Sequence, residues 1–431
     1  MDIATLYNFF EKYRIISTDT RKIEKNSIFF ALKGANFNGN KFAQDALEKG
    51  AALAIVDEAE FADGNNIVLV DNCLQTLQQL ANYHRKQLKY PIIGITGTNG
   101  KTTTKELINA SLSAKYKVKA TSGNLNNHIG VPLTLLAFPD DLDFGIVEMG
   151  ANHKGEIAEL CEISEPDYGI ITNIGKAHIE GFGSFEAVIK TKNELYDSVK
   201  RKNGTIFYNS DNEILRKLIS DYKNTIAFDT SGKEFYNGIL SEITPFVKFV
   251  FSKGEENISI HTKLIGDYNL ENLTAAATIA SYFDVELAGV KKALEKYTPD
   301  NKRSQLLETE KNKLIVDAYN ANATSMNKAL DNFFALQESK KALILGDMLE
   351  LGKESEKEHL NILNKIKEHN CKNVFLVGKE FFKFRDDFNF NFFENVESLH
   401  SFFEKNAVLD KHLILLKGSR GIRLEKIIDI L

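Results

Sequence analysis

The feature that most constrains the fold is an alternation, along nearly the whole chain, of short apolar runs and amphipathic helical stretches. Runs such as residues 92–95 and 413–416 are short and apolar throughout, which is typical of strands that a parallel sheet buries on both faces. Stretches such as residues 185–200 lie between them and repeat apolar residues at helical spacing. This alternation predicts an α/β fold.

Two breaks in the pattern divide the chain. A polar helical stretch ends near Lys89-Tyr90-Pro91, and a second one ends near Tyr297-Thr298-Pro299. A chain of 431 residues with 43% hydrophobic residues is long enough to bury about three cores. We therefore predict domains at residues 1–89, 90–301 and 302–431. Strand-like runs within residues 206–260 suggest an antiparallel edge on the central sheet.

Charge and cysteine content exclude several classes of protein. The chain has 54 Lys and Arg against 59 Asp and Glu, which argues against binding to nucleic acid or anionic membranes through bulk charge. Three widely spaced cysteines rule out a disulfide scaffold and fit a reducing compartment. The sequence shows neither a signal peptide nor an apolar run of the ~20 residues that a membrane helix needs. We expect a cytoplasmic protein, and nothing in the sequence demands more than a monomer.

The strongest motif is a glycine-rich loop between an apolar run and a helical pattern, Gly97-Thr98-Asn99-Gly100-Lys101-Thr102-Thr103. Glycines let backbone amides converge on phosphate oxygens, and the following helix adds positive potential. Lys101 can reach the β- and γ-phosphates, and the Thr102 hydroxyl can bind Mg²⁺. The strict P-loop pattern has a glycine where this chain has Ile95, so the loop is a variant. The order of strand, loop and helix makes a plain glycine turn the weaker interpretation.

A P-loop alone does not choose between a GTPase, a kinase and a ligase. The chain lacks the Asn-Lys-x-Asp run that reads guanine, which weakly favours ATP. The loop resembles the ATP loop of the Mur ligases, which build the peptide of bacterial cell-wall precursors. The other motifs that resemble this family lie at residues 123–133, 147–151, 173–180, 317–322, 345–352 and 417–420.

The resemblance implies three domains: a small UDP-sugar-binding domain, a central P-loop domain with a mostly parallel sheet flanked by helices, and a Rossmann-like C-terminal domain. The last three motifs resemble the member that joins D-alanyl-D-alanine to UDP-N-acetylmuramoyl-tripeptide. In that reaction ATP, with two Mg²⁺ ions, converts the tripeptide carboxylate to an acyl phosphate that the dipeptide amine attacks. The alternatives are the tripeptide-forming ligase, whose Asp-Asn-Pro-Arg motif is absent, a folate polyglutamate ligase, and a non-catalytic ATP-binding interaction protein.

Two side chains after strands are candidate metal ligands. Glu148 follows the apolar run at residues 144–147, where α/β sheets bind ligands, and its carboxylate is a hard oxygen donor. A salt-bridged glutamate is the alternative. His178 would, from its chemistry alone, be a hydrogen-bonded loop histidine, since Mg²⁺ prefers oxygen. The resemblance implies instead that His178 lies at a second metal and is catalytic.

Helical spacing distinguishes two neighbouring lysines. Lys192 shares a face with Val188 and Leu195, whereas Lys190 falls on the polar side. A buried lysine is costly unless it is paired or modified. The resemblance implies that Lys192 is carbamylated and holds Mg²⁺, and that it is catalytic together with Lys101. The alternative is a lysine that reaches solvent from the rim of the apolar face.

The resemblance also implies ligand contacts for residues that sequence alone leaves open to capping, surface pairing or turn roles. For the nucleotide these are Asn269, Asn272, Arg303 and Asp317. For the dipeptide they are Tyr319, Asn320, Asp347 and Met348, which follow strand ends. For the UDP-sugar and peptide they are Thr18, Asp19, Arg21, Lys33, Asn124, Asn126 and Asn127. Asn40 stands where the family pattern has histidine, so a contact at this position stays open.

Overall fold

Three sheets follow one another along the chain, and together they make an α/β protein, as predicted. The structure is a computed structural model that describes residues 1–175, 179–300, 303–349, 351–406 and 409–431. The predicted boundary between residues 301 and 302 lies outside these ranges. Among the described residues, we find no helix with the length and apolar character needed to cross a bilayer.

The first sheet has four parallel strands in the order β1-β2-β5-β6, and a two-stranded ribbon, β3-β4, lies beside it. The strands are β1 (Ile16–Ser17), β2 (Ile28–Phe30), β3 (Lys33–Gly34), β4 (Phe37–Asn38), β5 (Leu53–Val56) and β6 (Ile67–Leu69). The helices of this region are α1 (Ile3–Tyr13), α2 (Ala43–Glu48) and α3 (Cys73–Gln87).

The central sheet has nine strands in the order β15-β14-β13-β12-β11-β10-β7-β9-β8. Its strands are β7 (Ile92–Thr96), β8 (Val118–Ala120), β9 (Phe144–Glu148), β10 (Tyr168–Ile171), β11 (Thr205–Asn209), β12 (Thr225–Asp229), β13 (Tyr236–Ile243), β14 (Phe246–Lys253) and β15 (Glu256–Ile265). Its helices are α4 (Lys101–Leu112), α5 (Gly130–Leu136), α6 (Glu156–Ser164), α7 (Ile179–Phe182), α8 (Phe185–Arg201), α9 (Glu213–Leu218), α10 (Asn269–Tyr282) and α11 (Leu287–Lys296). Strands β13, β14 and β15 pair antiparallel, so the predicted antiparallel edge is confirmed.

The third sheet has six strands in the order β16-β17-β21-β18-β19-β20, with only β16 antiparallel to its neighbour. Its strands are β16 (Gln305–Glu308), β17 (Lys313–Asp317), β18 (Lys341–Gly346), β19 (Asn373–Val377), β20 (Asn391–Phe393) and β21 (Leu413–Lys417). Its helices are α12 (Ala323–Ala335), α13 (Ser355–Glu368), α14 (Lys379–Phe382) and α15 (Val396–Lys405).

The parallel strands β7, β9 and β10 of the central sheet are buried on both faces, which explains their largely apolar sequences. Side chains alternate along a strand, and in β7 Ile92 packs into one core while Ile93 and Ile95 pack into the core on the opposite face. Leu314 and Ile315 of β17 divide between two cores in the same way. Helices cover both faces, so the polar ends of the strands are where a ligand can reach the sheet.

The order of the central strands creates a crevice beside β7. The chain leaves β7 toward β8 on one side, and β10 pairs with β7 on the other. Such a reversal at the carboxyl ends of parallel strands is where open α/β sheets bind ligands. In the register of β7 and β9, Ile95 lies opposite Glu148, so the carboxylate is level with the start of the glycine-rich loop.

Polar contacts join the central and third sheets. Asp267, before α10, and Asn332, on α12, exchange two hydrogen bonds: the Asp267 backbone N–H donates to Asn332 Oδ1 (3.1 Å), and Asn332 Nδ2 donates to Asp267 Oδ1 (2.8 Å). The Asn322 amide also donates to Asn99 Oδ1 in the glycine-rich loop, at 2.9 Å. The carboxyl ends of the two sheets therefore face a shared space.

Candidate active site

The glycine-rich loop runs from β7 into α4, and two of its glycines have conformations that other residues adopt at a cost. Gly97 has φ 150° and Gly100 has φ 79°, and Gly100 is the N-cap of α4. A Cβ at Gly97 would collide with the Thr172 hydroxyl, and one at Gly100 would lie 2.6 Å from Asn272 Oδ1. The loop therefore needs both glycines for its backbone and for its packing.

Side chains from β10's carboxyl end hold the middle of the loop. Asn173 Oδ1 accepts from the Asn99 N–H, and Asn173 Nδ2 donates to the Asn99 carbonyl, both at 3.0 Å. The Thr172 hydroxyl donates to the same carbonyl at 2.6 Å. Because the N–H and the carbonyl of Asn99, on the two peptides that flank its Cα, are both held, the backbone amides of the loop are fixed in direction before any ligand binds. Such preorganisation is what a phosphate-binding loop requires.

The loop lysine lies over the loop itself. Lys101 Nζ donates to the carbonyls of Gly97 (2.8 Å) and Thr98 (3.1 Å). Burial lowers the pKa of Lys101 to about 8, and the negative charge of Glu148 opposes this shift. A phosphate is a stronger acceptor for an ammonium group than a neutral carbonyl. The lysine is therefore placed to exchange its loop contacts for phosphate contacts.

Glu148 lies at the end of β9, next to the first turn of α4. Its Oε1 accepts from the Thr102 hydroxyl (3.1 Å) and from Asn126 Nδ2 (2.8 Å). Its Oε2 is buried, lacks a hydrogen-bond partner within the described ranges, and lies 3.9 Å from Lys105 Nζ. A buried carboxylate oxygen without a donor is costly unless a cation approaches it. With the Thr102 hydroxyl beside it, this donor set fits Mg²⁺, which takes one or two protein carboxylates and completes its shell with phosphate and water.

No group of three or more His, Cys, Asp or Glu side chains in the described part of the chain is placed to hold a metal. A metal held by Thr102 and Glu148 would therefore rely on nucleotide oxygens. His178, the predicted second-metal ligand, lies outside the described residues.

Lys192 lies on the inner face of α8, as its spacing predicts, and is 3% exposed, whereas Lys190 is exposed. Its Nζ is 5.7 Å from the centre of the Phe182 ring. Burial lowers the pKa of Lys192 to about 7, and the positive charge of Lys101 adds to the shift. A substantial fraction of the amine is thus neutral and nucleophilic near pH 7, as carbamylation by CO₂ requires.

The two predicted adenine-binding asparagines lie at the start of α10 and use most of their hydrogen-bonding capacity within the chain. Asn269 Nδ2 donates to the Ile265 carbonyl (2.8 Å) and to Ser304 Oγ (3.4 Å). Asn272 Nδ2 donates to Asn269 Oδ1 (3.0 Å), and Asn272 Oδ1 accepts from the Thr104 hydroxyl (3.0 Å). An amide has two donors and two lone pairs, so one N–H of Asn272 and one lone pair on each oxygen remain for a ligand.

The third sheet brings cationic and aromatic groups to the same space. The Arg303 guanidinium stacks on the Tyr319 ring at 3.8 Å, and its buried Nε has no hydrogen-bond partner within the described ranges. The Arg420 guanidinium lies 5.5 Å from the same ring. Asp317 pairs with Lys417, with 2.5 Å between Oδ2 and Nζ. Stacking leaves the in-plane N–H groups of Arg303 directed at whatever lies beside the ring.

These elements enclose one cavity of about 720 Å³. That volume lies within the range of ligand-binding clefts. Gly97 lies at the start of the loop that forms one of its walls. The predicted residues that line the cavity are Thr98, Asn99, Gly100, Lys101, Thr102, Thr103, Asn124, Asn126, Asn127, Glu148, Asn269, Asn272, Arg303, Asp317, Tyr319 and Asn320.

Comparison with protein families gives three matches in chain order. Residues 12–85 match the model for the Mur ligase family, catalytic domain, residues 95–280 match the Mur ligase middle domain, and residues 302–420 match the Mur ligase, glutamate ligase domain. The chain is also 35% identical to the UDP-N-acetylmuramoyl-tripeptide--D-alanyl-D-alanine ligase of Bacillus subtilis, over 96% of this chain and 92% of that protein. The chain belongs to the Mur ligase family.

Solved structures agree with this assignment. MurF from Acinetobacter baumannii superposes with a TM-score of 0.86 at 27% identity, over 95% of this chain and 91% of that one. The MurF ligase from Thermotoga maritima, solved in complex with ADP, superposes with a TM-score of 0.85 at 25% identity, over 97% of this chain and 96% of that one. The three-domain Mur ligase fold expected from the sequence is confirmed.

Two of the predicted dipeptide residues lie away from the main cavity of this Mur ligase. Asp347 and Met348 follow β18 and are almost fully buried. The Asp347 carboxylate accepts from the backbone N–H groups of Glu380 (2.9 Å) and Phe381 (3.0 Å), so its oxygens are used within the fold. Met348 instead borders a second cavity of about 400 Å³. The Asp347 carboxylate therefore stabilises the turn after β18. Its position at the end of a strand does not by itself predict this role.

The predicted UDP-sugar residues form a separate group on the first region. The described residues that line the main cavity do not include Thr18, Asp19, Arg21 or Lys33. The Asp19 carboxylate accepts from the Arg21 guanidinium, which holds the pKa of Asp19 well below its usual range. Lys33 Nζ lies 3.0 Å from Asp57 Oδ1, so its charge is also paired.

Asn40, where the family pattern has histidine, has a structural role. It is 1% exposed, its Nδ2 donates to Asp57 Oδ1 (2.8 Å), and its Oδ1 accepts from the Asp57 backbone N–H (2.9 Å). Asn40 therefore holds the carboxylate that in turn pairs with Lys33.

Sequence reasoning missed several residues that shape the site. Asn173 and Asn322 bind Asn99, and both stand inside motifs that resemble the family, but nothing in their spacing indicates a loop contact. Asn322 also forms a capping box with Ser325 at the start of α12, a pattern that an asparagine three residues before a serine can reveal. Lys105 shares a buried helix face with Ile108 and Leu112, so the rule that selected Lys192 would also have selected it.

Proposed function

We propose that this Mur ligase joins D-alanyl-D-alanine to UDP-N-acetylmuramoyl-tripeptide at the expense of ATP, in the synthesis of peptidoglycan precursors. The observation that carries the proposal is the cavity of about 720 Å³ in which the P-loop, Glu148 and the strand ends of the third sheet meet. The full-length similarity to ligases named for this reaction supports it. The enzyme transfers the γ-phosphoryl group to the tripeptide carboxylate. The dipeptide amine then attacks the acyl phosphate, phosphate leaves, and an amide bond remains.

The central difficulty of this reaction is that two anions must meet. A carboxylate oxygen approaches the γ-phosphorus only when the charge between them is neutralised, and positioning with electrostatic stabilisation supplies most of the catalysis. The backbone amides of residues 97–103 and the Lys101 ammonium hold the β- and γ-phosphates. Arg303 extends the positive field from the third sheet, because its guanidinium is fixed against Tyr319.

Thr102 and Glu148 would hold one Mg²⁺, because a hydroxyl and a buried carboxylate oxygen lie together at this point. A bound Mg²⁺ neutralises charge on the phosphates and the acyl group. Asn126 keeps Glu148 in place through Oε1, which leaves Oε2 for the ion. In the carbamate form, Lys192 would supply two further oxygens, and His178 is proposed to lie at a second ion.

Binding of the remaining groups divides among the three regions. Asn269, Asn272 and Asp317 are proposed to contact the base and ribose, with Asn272 using its remaining N–H. Asn124, Asn126 and Asn127 are proposed to contact sugar or peptide, and Thr18, Asp19, Arg21 and Lys33 the UDP group. Tyr319, Asn320 and the turn of Asp347 and Met348 are proposed to bind the dipeptide.

We also propose domain boundaries at 89/90 and 301/302, which the three sheets support because no sheet formed by the described residues contains strands from both sides of either position. Limited proteolysis tests this division. Cleavage is expected first near these two positions, and early cleavage inside the central sheet would contradict it.

Phosphate release tests the function. We expect release from ATP only when UDP-N-acetylmuramoyl-tripeptide and D-alanyl-D-alanine are both present, with a product heavier by the dipeptide in mass spectrometry. Preference for a single free amino acid would favour a different amide ligase. ATP binding without turnover under any of these conditions would favour the non-catalytic alternative.

A further inference from the structure

A histidine that the proposed chemistry does not use lies directly beneath the turn of Asp347 and Met348. His359 is on α13, has no exposed surface, and packs edge-to-face against Phe381 with ring centres 4.6 Å apart. A fully buried histidine is uncommon, and its ring nitrogens must both be satisfied. Its partners therefore determine which nitrogen carries the proton.

The hydrogen bonds of His359 determine one tautomer. Nδ1 lies 2.7 Å from the Ser355 carbonyl, which only accepts, so Nδ1 carries the hydrogen. The Ser355 hydroxyl donates to Glu380 Oε2 at 2.8 Å, so its hydrogen is not available to the ring. Nε2 accepts from the Met348 backbone N–H at 3.1 Å. The ring is thus neutral and acts as the acceptor for Met348.

Three successive residues of the turn are anchored by different elements. The Asp347 carboxylate accepts from the N–H groups of Glu380 and Phe381, the Met348 N–H donates to His359, and the Leu349 N–H donates to the Ser419 hydroxyl at 2.9 Å. The Ser419 N–H in turn donates to the Asp347 carbonyl at 3.1 Å. The Met348 N–H and the Asp347 carbonyl belong to the same peptide, so His359 holds this peptide through its N–H while Ser419 holds it through its carbonyl.

The surroundings of His359 favour its neutral form. The charged groups that face it are Asp347, whose Oδ1 lies 3.7 Å from Nε2, together with Glu380 and Lys383. Burial lowers the pKa of His359 and raises that of Asp347, so the environment opposes charge on both groups. A protonated ring would turn Nε2 into a donor, and the Met348 N–H would then face a second N–H.

We propose that His359 is a positioning residue for dipeptide binding: by accepting from the Met348 N–H, it holds the turn of residues 347–349 in the orientation that receives D-alanyl-D-alanine. This inference rests on the proposed function, because it takes the dipeptide as the ligand of this turn. His359 touches no reacting atom in this scheme. Its loss should therefore raise the KM for the dipeptide and leave the KM for the other substrates unchanged.

Two substitutions test the role of Nε2 as an acceptor separately from the role of Nδ1 as a donor. His359→Asn keeps a donor toward the Ser355 carbonyl but has no atom that reaches the Met348 N–H. His359→Gln is long enough to place its carbonyl oxygen where Nε2 lies. We expect His359→Asn to raise the KM for D-alanyl-D-alanine about tenfold, as for a lost buried acceptor, and His359→Gln to stay within about threefold of the wild type. His400→Asn, at a partly exposed histidine on α15, is the control.

The measurement is steady-state phosphate release by the full chain, with each of the three substrates varied in turn. Equal increases in all three KM values, a glutamine variant no better than the asparagine variant, or unchanged KM values in both would overturn the inference. These outcomes differ from failure of the proposed function, in which the wild-type enzyme itself shows no dipeptide-dependent turnover.

If neither variant folds, nitrogen NMR of the wild-type enzyme with labelled histidines decides. His84, the other histidine with no exposed surface in the described ranges, has Nε2 at 3.1 Å from the Phe138 carbonyl and so carries its hydrogen on the opposite nitrogen. We expect one ring that stays neutral with hydrogen on Nδ1 at pH 6 and that shifts on saturation with D-alanyl-D-alanine. The absence of that ring, or a ring that the dipeptide does not shift, would overturn the inference.

Discussion

The predicted ligand-binding residues of the main cavity and of the first region differ in how firmly other parts of the protein hold them. Around the cavity, hydrogen bonds from other elements hold the polar groups in place. For example, Asn173 and Thr172 both bind the backbone of Asn99. In the first region, Asp19 and Arg21 bind each other, and the Arg21 side chain is 86% exposed. An exposed pair contributes little to stability and can exchange partners readily. The difference teaches that the proposed nucleotide site is held in place by the protein itself, whereas the Asp19–Arg21 part of the proposed UDP site can rearrange when a ligand binds.

The largest effect should follow loss of Lys101, the lysine of the glycine-rich loop. Lys101→Ala is expected to lower kcat by more than about 10³-fold, because the Lys101 ammonium lies directly over the loop that is proposed to hold the β- and γ-phosphates. Phosphate release measures the effect, and Lys223→Ala, at an exposed lysine, is the control. A rate within tenfold of the wild type would remove the P-loop from the mechanism.

Lys192→Ala should have the next largest effect, about 10²-fold in kcat, with partial recovery on addition of a short-chain carboxylate that supplies the missing oxygens. Lys190→Ala, two residues away on the exposed face, should leave the rate unchanged. Absence of recovery would argue against the carbamate.

The pH dependence of the wild-type rate gives a second view of Lys192. Only the neutral amine adds CO₂, and its pKa is about 7, so the carbamate-dependent rate should fall as pH drops through about 7. The carboxylate-restored Lys192→Ala enzyme has no amine to protonate and should lack this decline. A decline of equal size in both enzymes would assign it to another group.

Asn322→Ser should have an intermediate effect, about fivefold in kcat/KM for ATP. Serine caps a helix as well as asparagine does, but it cannot reach Asn99. The effect is limited because Asn173 and Thr172 still hold the Asn99 peptide. Thermal unfolding should be unchanged within a few degrees, and a large drop in Tm would show that the cap had been disturbed as well.

The smallest effect should come from the first region. Arg21→Ala is expected to raise the KM for UDP-N-acetylmuramoyl-tripeptide about threefold and to leave the free energy of unfolding unchanged, because its pair with Asp19 is exposed. Arg385→Ala, at an exposed arginine of the third region, is the control. If Arg21→Ala abolished turnover as Lys101→Ala does, the contrast between the two regions would be wrong.

Local patterns predicted most of the fold. The apolar runs at residues 92–95, 144–147 and 413–416 locate β7, β9 and β21 to within one residue, and spacing on α8 separates buried Lys192 from exposed Lys190. These predictions succeed because burial is periodic along an element. The strand-to-helix context likewise located the loop from Gly97 to Thr103, since that motif is contiguous in sequence.

The contacts that connect distant parts of the chain could not be predicted in the same way. Asn322 and Asn99 lie far apart in sequence and meet only because two sheets face each other. Asp347 was expected to bind ligand because it follows a strand, yet the N-terminus of α14 takes its carboxylate. Asn269 and Asn272 share a helix face, but their neighbours in space, Ile265 and Thr104, decide how much of each amide remains free.

The two loop glycines have a consequence for inhibition. Gly97 and Gly100 press against Thr172 and Asn272, which belong to separate elements, so an added side chain at either position must displace a neighbour as well as strain the backbone. An inhibitor that binds against this loop would contact residues whose substitution should also weaken nucleotide binding. Resistance would have to arise at the rim of the cleft, where side chains can change independently.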